Sequence, residues 1–234
     1  MERYNQFNER YSRQIILDQI GTIGQNKLLD AKVLIVGMGG LGSPISLYLT
    51  GAGVGTIGII DSDKVTTNNL HRQILYTELE VGLSKVEQAK TQLNLRNSDV
   101  RIIAYNEYLT IANVEKIFAD YDIIIDGVDN FRTRYVIDAE CKKQNKPYVY
   151  GAIKEFIGQV SVFNYKGGVS YSDVFTNSKD DEKVYGLFGT IPGIIGILET
   201  NEVIKIITGM GEVLSNKLLQ YDLLTNTQEI FDLV

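Results

Sequence analysis

Tryptophan is absent from this 234-residue chain, and cysteine and histidine occur once each, as Cys141 and His71. A single cysteine excludes an internal disulfide framework and any zinc site built from cysteine pairs, and it fits a reducing compartment. Cys141, inside Ala139-Glu140-Cys141-Lys142, reads as a packing residue. With one histidine, no Ser-His-Asp or Cys-His arrangement exists apart from His71, and His71 reads as a local contact beside Arg72 rather than a general base. No apolar run approaches the roughly 18 residues that span a membrane. The start, Met1 to Gln6, is polar and lacks the apolar core of a signal peptide. Basic charge is also short: Lys and Arg total 23 against 29 Asp and Glu, a net charge of −6, which argues against a nucleic-acid surface. A cytoplasmic protein with no membrane and no nucleic-acid partner is expected.

What is present is concentrated between Val33 and Asp61. Val33-Leu34-Ile35-Val36 is a continuous apolar run, as a buried parallel strand requires. Gly37-Met38-Gly39-Gly40-Leu41-Gly42 follows, then a helix over Ser43 to Thr50, then a second strand over Thr56 to Asp61. Pro44 suits the first helical turn, where a missing N–H costs no bond. A glycine turn between strand and helix, with an acid at the next strand end, is the nucleotide-binding fingerprint in its required context. Gly37 and Gly39 allow the turn and a close approach of backbone to phosphate, and Gly42 lets helix and strand pack tightly. Asp61 lies nineteen positions beyond Gly42, where it can accept hydrogen bonds from ribose hydroxyls.

The alternation continues with helix Lys85 to Leu95, strand Arg101 to Tyr105, helix Ile111 to Ala119, strand Ile123 to Ile125 ending at Asp126, helix Arg132 to Gln144 and strand Tyr148 to Tyr150. Short helices are expected at Arg13 to Ile16 and Gln25 to Leu29, joined through Gly21 and Gly24. After Gly151 the pattern changes. Gly158 to Tyr165, Leu218 to Asp222 and Glu229 to Leu233 read as antiparallel strands, and Pro192-Gly193 introduces an apolar helix over Ile194 to Thr208. The polar stretch Asn177 to Lys183 has no periodicity and reads as a mobile loop. The fold class is therefore α/β: a Rossmann-like doubly wound sheet, mainly parallel, with antiparallel C-terminal strands. The ends of strands one, two and four should share the edge where ligands bind.

Basic and acidic residues surround this fingerprint in numbers that a dehydrogenase does not need. Arg13, Arg72 and Lys85 taken singly could be solvated surface charge. Arg72, however, stands beside Asn69 and Gln73, just beyond the expected ribose-binding strand end. Lys85 opens a helix, where a cation is unfavourable unless an anion is near. Such groups can hold a triphosphate and stabilise charge that builds during attack at phosphorus. Asp129, beyond the fourth strand, is placed to hold magnesium against phosphate oxygens; alternatively Asp129 or Asn130 caps the next helix. Asp126 reads as structural.

These residues resemble the ThiF/MoeB/HesA family, bacterial relatives of the ubiquitin-activating E1 enzymes. The resemblance rests on Arg10-Tyr11-Ser12-Arg13-Gln14-Ile15, the glycine loop, Asp61-x-Asp63, Asn69-Leu70-His71-Arg72-Gln73, Gly82-x-x-Lys85, Asp126-x-x-Asp129-Asn130-x-x-x-Arg134, Gly158-Gln159-Val160 and Pro192-Gly193-Ile194-Ile195-Gly196. It implies MgATP-dependent adenylation of the C-terminal glycine of a ubiquitin-like sulfur carrier ending in Gly-Gly, with release of pyrophosphate. By that likeness, Gly37, Gly39, Gly40 and Gly42 form the phosphate loop, and Asp61 takes the ribose. Asn69, Arg72 and Lys85 bind the triphosphate, Gln73 joins them in binding the nucleotide, Asp129 positions magnesium, and Asn130 lines the nucleotide. Arg13 resembles an arginine that reaches into the partner's site in a homodimer; with Arg72, Lys85 and Asp129 it completes the implied catalytic set.

The resemblance also implies one adenylation domain over residues 1–234: a helical arm at 1–30, a nucleotide half at 31–150, and a carrier-binding half at 151–234 with a mobile loop near 176–189. Many members carry two Cys-x-x-Cys zinc pairs. Here the first region reads Tyr171-Ser172-Asp173-Val174-Phe175 and no second pair exists, so no zinc is expected. The crossover stretch Lys179 to Gly189 also lacks a cysteine, which implies adenylation without a thiol step. A short, zinc-free chain looks most like a ThiF that acts on ThiS in thiamin synthesis. The alternatives are a MoeB role with a MoaD-like carrier in molybdopterin synthesis, and a non-catalytic E1-like dimerisation or scaffold protein.

Overall fold

Runs of β-branched residues build the centre of the molecule. The structure, a computed structural model, describes residues 9–180 and 186–233. Its strands are β1 (Lys32–Val36), β2 (Thr56–Ile60), β3 (Arg101–Tyr105), β4 (Ile123–Asp126), β5 (Tyr148–Lys154), β6 (Ile157–Phe163), β7 (Lys217–Asp222) and β8 (Thr227–Asp232). They form one sheet in the order β3-β2-β1-β4-β5-β6-β7-β8. β3 to β5 of this order are parallel, while β5–β6, β6–β7 and β7–β8 are antiparallel. The fold is thus the Rossmann-like α/β sheet with antiparallel C-terminal strands that the sequence pattern indicates. The chain leaves β1 toward β2 and β3, then returns to the other side of β1 for β4. That reversal opens a crevice at the carboxyl ends of β1 and β4.

The helices are α1 (Ser12–Ile15), α2 (Gly21–Asp30), α3 (Gly42–Ala52), α4 (Lys85–Arg96), α5 (Val114–Phe118), α6 (Phe131–Gln144), α7 (Tyr171–Val174) and α8 (Thr190–Thr208). Period-two alternation sends Val33, Ile35, Ile57, Ile59 and Ile125 to one sheet face, with Ile45 and Leu49 of α3, Val86 and Leu93 of α4, and Ile195 and Val203 of α8. Leu34, Val36, Ile60 and Ile124 face the other way, toward Ile117 and Phe118 of α5 and Ile137 and Cys141 of α6. Cys141 is wholly buried, as a packing residue should be.

Several boundaries differ from the sequence reading for physical reasons. β5 runs four residues past Tyr150, because antiparallel pairing with β6 carries it on to Lys154. α8 starts at Thr190, so Pro192 and Gly193 lie inside its first turn rather than before it. The helix expected from Ile111 begins only at Val114, since the Asn113 side chain accepts from the Thr110 amide and holds a turn there. Gly21 and Gly24 sit within α2, where Gly24 packs near Thr208.

α8 is seated in sockets cut by missing side chains. A Cβ on Gly158 of β6 would overlap Ile195, one on Gly151 of β5 would overlap the Glu199 carboxyl, and one on Gly196 would meet Pro44 of α3 at 2.7 Å. α7, absent from the sequence reading, is held by Asp138, which accepts from the amides of Tyr171 (2.8 Å) and Ser172 (3.1 Å). Tyr171 joins Tyr148, Tyr150, Phe163 and Phe175 in an aromatic cluster.

The loop expected to be mobile over Asn177 to Lys183 falls partly on residues 181–185, outside the described residues. Its described half is fastened. The Ser178 amide donates to the Tyr135 hydroxyl at 2.9 Å, and the Asp180 carboxylate accepts from the Phe131 amide at 2.6 Å, at the start of α6.

Candidate functional site

The turn after β1 is tied down before any side chain enters the site. Gly37 has φ +93°, which favours glycine, and its N–H donates to the Ile60 carbonyl at 2.8 Å. The turn after β4 lies directly against it, and Gly127 donates to the Val36 carbonyl at 2.7 Å. Gly42 is not in the cleft wall. A Cβ there would overlap the Gly37 carbonyl, so its part is the tight helix–strand packing expected of it. Gly39 and Gly40 remain at the surface of the cleft, and Pro192 of α8 backs Gly40.

The cleft has a volume of about 370 Å³, and Gly37, Gly39, Gly40, Asp61, Arg72, Gln73, Lys85, Asp129 and Asn130 all line it. That is within the ordinary range for a small-molecule site, about 300–1,000 Å³. Residues from Gly37 to Asn130, up to 93 positions apart in sequence, thus meet at one sheet edge.

Asp61 is engaged within the chain. Its Oδ2 accepts from the Met38 amide at 2.8 Å and its Oδ1 from the Asp63 amide at 2.8 Å. It therefore clamps the glycine loop, and only its remaining lone pairs face the cleft. The anion that explains Lys85 at a helix start is within the chain. Lys85 Nζ donates to Asp63 at 2.8 Å and lies 3.9 Å from Asp61, with 6% of the side chain exposed. Arg72 is half-buried, and one guanidinium N–H donates to the Asn68 carbonyl at 3.1 Å. His71 contacts that same carbonyl at 3.0 Å and the Arg72 guanidinium at 3.5 Å, as a local contact. Gln73 is buried beneath Gly39, with its carbonyl oxygen unpartnered.

Two expected residues are elsewhere. Asn69 is on the 3-10 turn Thr67–Asn69, its carbonyl taking the amides of Arg72 and Gln73 and its side chain donating to Asn68. It shapes the arginine loop rather than the cleft wall. Arg13, on α1, is exposed and outside the wall.

Of Asp129 and Asn130, it is Asn130 that caps α6, accepting from the Thr133 amide at 2.9 Å. Asp129 is left exposed at the cleft, near only the Asn130 side-chain amide at 3.4 Å among its recorded polar contacts. Magnesium on a nucleotide takes one or two carboxylates plus phosphate oxygens, and an Asp129 carboxylate uncommitted to backbone donors fits that need. Asp126 is structural, wholly buried, and bonded to Arg134, Tyr148 and the Val128 amide. Burial pushes its carboxyl up while Arg134 opposes the shift.

Sequence reasoning missed part of the wall. Glu107, Tyr108 and Leu109 follow β3, which sits at the same edge beyond β2, so the loops of four strands enclose the cleft rather than three. Ile153 and Leu187 close it from the antiparallel side.

Residues 11–233 match the sequence model of the ThiF family. A probable molybdopterin-synthase adenylyltransferase from Porphyra purpurea is 44% identical over 231 residues, covering 96% of this chain and 60% of that protein. The adenylyltransferase and sulfurtransferase MOCS3 of Culex quinquefasciatus is 48% identical over 218 residues, covering 91% of this chain and 50% of the relative. The chain thus spans half to three-fifths of these curated relatives. Among solved structures, E. coli MccB with ATP superposes with a TM-score of 0.86 at 25% identity, over 96% of this chain and 71% of that one. PaaA superposes with a TM-score of 0.85 at 27% identity, over 97% and 73%. With the family pattern covering nearly its whole length and an ATP-bound enzyme sharing its fold, the chain belongs to the ThiF family.

Proposed function

We propose that this protein adenylates the C-terminal glycine carboxylate of a ubiquitin-like sulfur carrier. A carboxylate oxygen attacks the α-phosphorus of ATP, the bond to the β-phosphate oxygen breaks, and pyrophosphate leaves. The observation that carries this reading is the convergence of Gly39, Gly40, Arg72, Lys85 and Asp129 on one cleft at the ends of β1, β2 and β4. Two anions must meet for the attack, so guanidinium and ammonium groups that screen them lower the barrier. Loop amides and the start of α3 serve the phosphates. Asp61 reaches the ribose with the lone pairs its backbone donors leave free, and Asn130 contacts the nucleotide while capping α6. Asp129 holds magnesium, whose chemistry here is to neutralise phosphate charge. No side-chain nucleophile is needed.

The carrier is of MoaD type. The curated relatives at 44% and 48% identity are named for molybdopterin synthase and MOCS3. The preference for ThiS, which rested on shortness and missing cysteines, gives way to theirs. The chain works as one adenylation unit in a homodimer in the cytoplasm. Residues 151–234 receive the carrier, and Arg13 serves the site of the second copy. No helix among the described residues is long and apolar enough to cross a membrane.

ATP–pyrophosphate exchange with MoaD-type and ThiS-type carriers supplied separately tests this. Exchange with the MoaD type alone is expected. Exchange with ThiS alone would reverse the carrier assignment, and none with either, from folded ATP-binding protein, would remove the carrier reading.

A further inference from the structure

Arg134 lines the cleft, yet its side chain is 7% exposed and makes three hydrogen bonds inside the chain. Nε donates to Asp126 Oδ2 at 2.8 Å. Nη2 donates to the carbonyls of Val128 at 2.8 Å and Gly151 at 3.1 Å. The guanidinium lies over Tyr150 and Phe131, 5.4 and 5.8 Å from the ring centroids. Asp126 in turn accepts from the Val128 amide at 2.9 Å. Val128 is therefore gripped on both sides, its N–H by Asp126 and its C=O by Arg134. That C=O belongs to the peptide whose nitrogen is Asp129's own. One residue further, Asn130 is pinned as the cap of α6. Every neighbour of Asp129 is fixed, and only its carboxylate is left to face the cleft.

We propose that Arg134 is a positioning residue that orients the Val128–Asp129 peptide, and through it aims the Asp129 carboxylate at the nucleotide's metal. This rests on the reading of Asp129 as the magnesium-bearing carboxylate. A planar fork is required, because one side chain must reach a carboxylate on β4, a carbonyl in the turn after it and a carbonyl on β5. Lysine keeps the charge but offers a point donor on a flexible stem. Metal affinity responds to the groups that hold ligands in place by about 10–100-fold.

The experiment measures the affinity of a non-hydrolysable ATP analogue by calorimetry, with and without Mn2+. The ratio gives the coupling between metal and nucleotide. Arg134→Lys should lower that coupling by about tenfold, leave metal-free nucleotide affinity within about twofold, and broaden or shift the electron paramagnetic resonance signal of the bound Mn2+. Wild-type coupling in folded Arg134→Lys would overturn the proposal. An equal loss of nucleotide affinity without metal would also overturn it, because that marks general collapse of the cleft. Asp129→Asn separates the two layers: wild-type coupling there would refute the metal reading of Asp129 itself. Should Arg134→Lys fail to fold, the double variant Asp126→Asn with Arg134→Gln removes both charges together and leaves no unpaired buried ion. It should show the same loss of coupling, and wild-type coupling in it would overturn the assignment equally.

Discussion

Gly37 and Gly127 lie backbone against backbone: a Cβ on Gly37 would stand 2.6 Å from the Gly127 carbonyl oxygen. The two turns that end β1 and β4 hold each other in place, so the glycine loop and the Asp129 loop form one unit. Gly37→Ala would combine this clash with a strained positive φ. It should cost on the order of 1–3 kcal/mol of stability and abolish ATP binding in whatever folds. Denaturant unfolding and equilibrium ATP binding check both; a stable variant with normal ATP affinity would refute the tight coupling of the loops.

Arg72 is committed to little beyond the Asn68 carbonyl and His71. Removing it therefore tests charge at the site more than fold. Arg72→Ala should lower exchange by about 10²–10³-fold with a near-normal unfolding midpoint. Turnover close to wild type would end its assignment to the triphosphate.

Glu199 is wholly buried, with neither carboxyl oxygen hydrogen-bonded. Burial holds its carboxyl well above the usual carboxylate range, Asp126 adds to the shift, and Arg134 opposes it. The sign follows directly. Above the ordinary carboxylate range the unfolded chain has released this proton while the folded chain keeps it, so stability falls as pH rises. The fall approaches about 1.4 kcal/mol per pH unit until the folded carboxyl itself ionises. Glu199→Gln cannot ionise, so its stability curve should be flatter from pH 5 to 8 and lie above wild type at the alkaline end. Denaturant unfolding across that range decides it, and parallel curves would show the carboxyl already ionised in the fold.

Arg13 is exposed and stands apart from the cleft wall of its own chain. If it serves a second copy, Arg13→Ala mixed with Asp129→Ala should regain roughly a quarter to a half of wild-type exchange, because exchanged dimers carry one intact site. No recovery after demonstrated subunit exchange would place Arg13's action within its own chain.

The parallel half of the fold was legible because its signals are local. Val33 to Val36, the glycine turn and Asp61 carry their meaning within thirty residues, and the structure places them as read. The site was less legible where a role depends on a distant partner. Asp61 as a clamp on Met38 and the loop of Glu107 to Leu109 follow from strand order, which periodicity does not encode, and Asp63 meets Lys85 because the β2–α4 connection folds back on itself. Asn69, which the family resemblance implies as a triphosphate contact, donates to Asn68 from its 3-10 turn, while Arg72 of the same loop lines the cleft.

The sockets that receive α8 make that helix a key with several teeth. Ile195, Gly196 and Glu199 engage Gly158, Pro44 and Gly151 on three different elements, and Pro192 at the same helix's first turn rests on Gly40. Inserting one residue between Pro192 and Ile195 would turn everything after it by about 100° and advance it about 1.5 Å. All three teeth would then miss together while Pro192 stayed in register. Size-conserving substitutions along α8 are therefore far better tolerated than a change in the spacing of its teeth, and the distance from β5 and β6 to the glycine loop is effectively gauged by counting residues.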